Sequence, residues 1–123
     1  QARPYHPWQL WACNCGRLLA GEDPELARRC LRFSCDCCLK AGNGVTLEPM
    51  ALMPLSVLAA TGLLPREEIW ATTEDVMQRL RDACAAGQLY APHFQSLLDL
   101  PDADAVLSEV AAHTSRYFPF NYH

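Results

Sequence analysis

Cysteine is the residue type in this sequence whose number and spacing could do chemistry. Six of the seven cysteines follow the pattern Cys-x-Cys, fourteen residues, then Cys-x₄-Cys-x-Cys-Cys. Structural zinc takes four such ligands in a tetrahedron, and two close cysteine groups separated by a longer segment supply them. The spacing therefore predicts a structural Zn²⁺ site, with the candidate ligands Cys13, Cys15, Cys30, Cys35, Cys37 and Cys38.

Helix geometry sorts the second cysteine group by direction. At about 100° per residue, Cys37 points about 20° and Cys38 about 80° from Cys30, whereas Cys35 points about 140° away. A site that uses Cys35 would need the helix to end before that residue. A single site in an unbroken helix would use Cys13, Cys15, Cys30 and either Cys37 or Cys38.

Two other uses of the thiols stay open at the level of sequence. A disulfide framework would make the chain a secreted effector domain with Cys84 left over, whereas zinc indicates an intracellular protein. The remaining three quarters of the sequence has the composition of an ordinary hydrophobic core, which needs no disulfides. Thiol catalysis would favour a cysteine at a helix start, and none of the six lies at the predicted one.

Composition and motifs exclude several classes of function. Of the 123 residues, 50% are hydrophobic and 20% are charged, which is typical of a folded chain. The net charge of −4 argues against nucleic acid or an anionic membrane as partner. The longest uncharged stretch, residues 49–65, is short for a membrane span and contains Pro54. No H-E-x-x-H motif and no glycine-rich phosphate loop occurs, so the sequence favours a non-catalytic protein over an enzyme whose active site the sequence does not reveal.

The elements that would position the cysteines are helices. Pro4 and Pro7 predict that residues 1–20 are extended or looped. Asp23 followed by Pro24 is a strong signal for the start of a helix, which we expect to run to Lys40. The first cysteine pair would therefore lie on a loop, and the second group at the end of a helix.

Helices are also predicted for the rest of the chain. We expect a short buried helix from Pro54 to Gly62, a longer one that Thr72 or Thr73 caps, and two more after Pro92. The predicted fold is all-α, an irregular bundle of about five short helices. It forms a single domain over residues 1–123, with a zinc-bound, cysteine-rich lobe at 1–44 and a helical core at 45–123.

Protein binding is the function that this arrangement favours. Tryptophan and arginine often dominate the binding energy of protein interfaces. If zinc fixes the N-terminal loop against the first helix, both residue types would share one surface. The sequence therefore predicts a partner protein, bound through Trp8, Trp11, Arg28, Arg29 and Arg32.

The segment PLSVLAATGLL, residues 54–64, resembles the short apolar helix with which viral adaptor proteins bind elongin C. Pro54, Leu55, Ala59 and Leu63 carry the resemblance, and an alanine stands where cellular versions have cysteine. In the lentiviral infectivity factor such a helix also follows a zinc-binding segment. The resemblance implies a ubiquitin-ligase adaptor that binds elongin C through residues 54–64.

A second set of segments is similar to a viral accessory protease. The Cys-x-Cys-x₁₄-Cys spacing, GLLPREEIW and AGQLYAP resemble, in that order, pieces of the zinc-finger and papain-like protease that begins the arterivirus replicase. No cysteine here is followed by tryptophan to act as the nucleophile, and the catalytic histidine region has no match. This resemblance implies a non-catalytic accessory protein in host–virus interaction.

Overall fold

The computed structural model describes residues 8–40, 48–87 and 92–117. These residues form helices and turns and contain no strand, which confirms the all-α prediction. Two short 3₁₀ helices cover Glu48–Ala51 and Leu97–Asp99. The α-helices are α1 Trp8–Leu19, α2 Pro24–Lys40, α3 Leu52–Thr61, α4 Arg66–Ala85, α5 Pro92–Ser96, α6 Ala103–Ala112 and α7 Thr114–Tyr117.

Helix α1 corrects the prediction of an extended or looped segment at residues 1–20 for Trp8–Leu19, and residues 1–7 lie outside the described residues. Both prolines of this stretch lie before Trp8, and the next proline is Pro24, so no missing N–H interrupts the segment between them. Leu10 and Cys13 then bury one side of α1 against the core. Packing of an amphipathic face is what stabilises most helices in proteins, and here it outweighs the nearby prolines.

Helices α1 and α2 form an antiparallel hairpin around a tight turn. The carboxylate of Asp23 accepts a hydrogen bond from the Leu26 N–H at 3.2 Å, as the predicted N-cap of α2 requires. Across the hairpin, the buried Ser34 hydroxyl donates to the Gln9 carbonyl oxygen. The hairpin is thus held by a polar contact as well as by apolar packing.

The hydrophobic core lies between the inner side of this hairpin and helices α3, α4 and α6. Helix α3 is buried on most sides, with Leu52, Leu55 and Leu58 each no more than 2% exposed. It ends at Gly62, whose φ of 68° is left-handed and whose N–H donates to the Leu58 carbonyl oxygen. The buried apolar helix predicted from Pro54 to Gly62 is therefore confirmed.

Helix α4 is longer than predicted. Thr72 and Thr73 do not cap a helix but lie inside one, where their hydroxyls donate to the carbonyl oxygens of Glu68 and Ile69, four residues earlier. This local bonding satisfies the hydroxyls without ending the helix. The predicted cap at these threonines is wrong. A threonine hydroxyl can cap a helix start or bond to a carbonyl oxygen inside a helix, and here both hydroxyls do the second.

Candidate interaction surface on the helical hairpin

The side chains of the first cysteine pair point in nearly opposite directions. Cys13 and Cys15 lie on α1, where two residues of separation turn the side chains about 160° apart. Cys13 is 1% exposed and faces the core, whereas Cys15 is exposed to solvent. With a helix in place of the expected loop, the structure does not bring these two thiols together.

The second cysteine group is divided in the same way along α2. Cys35 and Cys38 are buried, whereas Cys30 and Cys37 are half-buried. Within residues 8–40, 48–87 and 92–117, no group of three or more Cys, His, Asp or Glu side chains is placed to hold a metal ion. The described residues thus give no support to the predicted zinc-bound lobe.

No disulfide joins any two of the seven cysteines, all of which belong to the described part of the chain. The seventh, Cys84, is half-buried on α4. The disulfide alternative therefore has no support in the structure either.

Burial controls the chemistry of the inner thiols. It raises the pKa of Cys13 to about 12, which nearby Arg17 opposes. Burial, with smaller contributions from the neighbouring Cys13 and Asp36, raises the pKa of Cys35 to about 12 as well. Both thiols are protonated at neutral pH, and the thiolate is the form that attacks electrophiles or binds metals. These two side chains act as small hydrophobic groups in the core.

A groove of about 270 Å³ lies where α1, α3 and α7 meet, and Cys13 contributes to its wall. Arg17, Val57 and Thr114 contribute further lining. A nucleophile needs an adjacent base or a lowered pKa, and the pKa of Cys13 is raised instead. The groove therefore offers no activated thiol to a substrate.

The outer side of the hairpin is unusual for its apolar exposure. Four large hydrophobic side chains of the described residues are substantially exposed, and all four lie on α1 and α2: Trp11 at 54%, Leu18 at 71%, Leu26 at 40% and Phe33 at 52%. Scattered exposed hydrophobic residues are ordinary on protein surfaces, but a contiguous group indicates an interaction site.

Helical spacing places each pair of these side chains on one side of its own helix. On α1, Trp11 and Leu18 are seven residues apart, and on α2 so are Leu26 and Phe33, so each pair lies on the same side of its helix. Both pairs point away from the buried stripes of the two helices. We define the outer face as Trp11, Cys15, Leu18, Leu26, Cys30, Phe33 and Cys37.

The predicted arginines differ in their contacts. Arg28 forms an ion pair with Glu25 on the same helix, and Arg32 forms one with Glu68 of α4 at 2.8 Å. Arg29 is exposed beside the outer face and has no ion pair or hydrogen bond within the described part of the chain. Of the three, Arg29 is the one whose charge is available to a partner.

The two tryptophans predicted to bind a partner also differ in what the structure describes. Trp11 lies on the outer face, whereas the side chain of Trp8 lies outside the described residues. Sequence analysis missed Leu18, Leu26 and Phe33. Their signal is a seven-residue spacing on the side of each helix opposite the buried cysteines. For Leu18 this signal becomes visible only once α1 is a helix, whereas Leu26 and Phe33 lie on the helix that the sequence predicts.

Comparisons of the chain with protein-family models, with curated proteins and with solved structures found no match. Among the described helices, none combines the length and the apolar composition that crossing a bilayer requires. The outer face is therefore interpreted from its own geometry.

Proposed function

We propose that this protein is a non-catalytic interaction domain that binds another protein through the outer face of the α1–α2 hairpin. The observation that carries the proposal is that every substantially exposed large hydrophobic side chain of the described residues lies on this hairpin. Contiguous exposed apolar groups are costly in water, and covering them is what stabilises most protein complexes.

The chemistry of the outer face suits this role. Trp11 and Phe33 offer large rigid rings, and Arg29 offers a charge that no described side chain neutralises. Tryptophan and arginine are enriched among the residues that dominate binding energy. The inner side of the hairpin packs into the core, so the face is carried on a firmly held element and loses little conformational entropy on binding.

Zinc is not required by this proposal and stays a prediction from the cysteine spacing. In the described helices, the six candidate ligands divide between an inner set, Cys13, Cys35 and Cys38, and an outer set, Cys15, Cys30 and Cys37. A mass spectrum of the native protein beside one of the denatured protein would detect a bound metal as a mass increment. A spectrum without that increment would contradict the zinc prediction and leave the proposed function intact.

The elongin-C adaptor is a second hypothesis, based on residues 54–64. Leu55, which the resemblance needs as a binding residue, is 2% exposed and packs in the core. The exposed residues of α3 are Ala59, Ala60 and Thr61, which offer little apolar area. The geometry therefore favours the hairpin over α3 as the binding element, and neither viral resemblance gains support from the comparisons.

Site-specific photo-crosslinking tests the proposed function. A photoreactive phenylalanine analogue would replace Phe33 on the outer face or, as the matched control, exposed Ala71 on α4. After irradiation of cells that express the protein, we expect a protein adduct from position 33 and not from position 71. Equal yields at the two positions, or no adduct at position 33, would contradict the proposal.

A further inference from the structure

We infer that the partner of the outer face is a second copy of this chain, so that two hairpins pack as an antiparallel four-helix bundle. This inference rests on the proposed function, because it names the partner of the same face. Three properties of the hairpin carry it: the apolar area that it exposes, the order of large and small side chains along it, and the distribution of charge.

The exposed apolar area is sufficient for a dimer of modest strength. An aromatic side chain can bury about 150–250 Å², so the half-exposed Trp11 and Phe33 together offer roughly 200 Å². Leu18, Leu26 and the outer cysteines raise the apolar area to roughly 350 Å² per copy. Only about 57% of the area of a typical interface is apolar, so two such faces would bury roughly 1,200 Å² of polar and apolar surface in total. This buried area is at the lower end of the range for specific complexes.

The order of side chains makes the outer face complementary to itself. Two contacts show which residues of α1 and α2 lie side by side. Ser34 forms a hydrogen bond with Gln9, and Gly16 approaches Leu31 closely. Trp11 and Phe33 consequently lie toward the open end of the hairpin and Leu18 toward its turn.

In a two-fold arrangement with the hairpins antiparallel, the aromatic end of one copy meets the leucine end of the other. The smaller cysteines at positions 15 and 30 lie between these ends, close to the axis. Alternation of large and small side chains is what lets facing helices fill space, and a two-fold axis repeats each contact twice.

The charge distribution favours contact between hairpins over contact through any other face. Residues 8–40 carry five basic and four acidic side chains, whereas residues 48–117 carry four basic and ten acidic ones. The outer face points away from the core, so joining two hairpins keeps the acidic parts of the two copies far apart. Any contact between the acidic parts would add like-charge repulsion.

Sedimentation of the purified chain under reducing conditions tests the inference. We expect a monomer–dimer equilibrium with a micromolar Kd, measured between about 1 and 200 µM. The double substitution Leu18→Gln and Phe33→Gln should weaken dimerisation about tenfold or more, since both side chains are exposed. Helicity should be retained, and so should the Tm of the monomer, measured well below the Kd. The matched control, Ala60→Gln with Ala71→Gln, should dimerise like the unaltered protein.

Thiol crosslinking adds a readout of the geometry. A short bis-maleimide should join two copies through the cysteines near the axis, and the product should disappear in the variant with Cys15→Ala and Cys30→Ala but persist with Cys84→Ala. A chain that stays monomeric at about 200 µM, or a dimer that the outer-face substitutions do not weaken, would overturn the inference. If position 33 then crosslinks to a different polypeptide, the proposed function stands alone; if it crosslinks to nothing, both fail.

Discussion

Gly16 of α1 and Leu31 of α2 approach so closely that a Cβ atom built on Gly16 would lie 2.5 Å from the Leu31 Cγ atom. The same Cβ would be 3.1 Å from the carbonyl oxygen of Ala27, which is part of the α2 backbone. Leu31 is fully buried and cannot swing outward. The absence of a side chain at position 16 therefore sets the distance between the two helices of the hairpin.

The first prediction is that Gly16→Ala destabilises the protein. The added methyl group would push α1 from α2 or force Leu31 off its rotamer, which costs about 1–3 kcal/mol in a packed core. The better helix propensity of alanine offsets part of this cost, so we expect a net loss of about 1–2 kcal/mol in the free energy of unfolding. Urea denaturation followed by circular dichroism would measure it.

Gly21→Ala is the matched control for this prediction. Gly21 lies in the turn of the same hairpin, and a Cβ there would meet nothing within 4 Å. We expect its unfolding free energy to stay within about 0.5 kcal/mol of the original. If the two glycine variants were equally stable, the close approach of α1 and α2 would be refuted.

Ser34→Ala should weaken the hairpin through loss of a buried hydrogen bond. Ser34 is 0% exposed and its hydroxyl donates to the Gln9 carbonyl oxygen across the hairpin. Removing the donor should lower the unfolding free energy by about 1 kcal/mol. Ser108→Ala on the exposed side of α6 is the control and should be near neutral, as thermal and urea unfolding of both variants would show.

Asp102→Ala should destabilise α6 by removing its N-cap. The Asp102 carboxylate accepts a hydrogen bond from the Ala105 N–H at 2.9 Å. Loss of such a cap costs about 1 kcal/mol, whereas Asp102→Asn keeps an acceptor and should retain most of the stability. Asp99→Ala, at an exposed position of the preceding 3₁₀ helix, should have a smaller effect than Asp102→Ala in the same unfolding measurement.

The parts of the fold that sequence predicts well are those with local signals. Asp23 and Pro24 mark the start of α2, and Gly62 marks the end of α3, because capping depends on residues that are neighbours in the chain. Helix α1 could not be predicted in this way. Its stability comes from packing against α2. The prolines before Trp8 are a local signal and do not predict that contact.

Of the proposed surface, the sequence pointed to Trp11 and Arg29 but not to Leu18, and the zinc site stays a prediction. The Cys-x-Cys spacing is identical whether the segment is a loop or a helix, but a loop lets both thiols turn toward one ion. A helix points them about 160° apart. Once Cys13 and Cys15 are on a helix, they diverge, and Leu18 joins Trp11 on the outer side instead. The identity of the surface thus depends on a secondary structure that only tertiary packing decides.

The last prediction concerns stability at alkaline pH. The pKa values of Cys13 and Cys35 are raised from an ordinary value of 9.0 to about 12, because burial disfavours the thiolate. Above pH 9 the unfolded chain releases these protons while the folded chain keeps them, so unfolding becomes more favourable. The stabilising contribution is complete below pH 9 and falls as pH rises toward 12, by up to about 1.4 kcal/mol per pH unit for each thiol.

Urea denaturation at pH 8 and at pH 10 would measure this loss. The variant with Cys13→Ala and Cys35→Ala should show a clearly smaller loss between the two pH values, although it is less stable at both. Cys37 and Tyr117, whose pKa values burial also raises, are present in both proteins and contribute equally. Ser34→Ala, which weakens the hairpin but keeps both thiols, should show the full loss; an equally small loss in that variant would mean that the inner thiols are not its source.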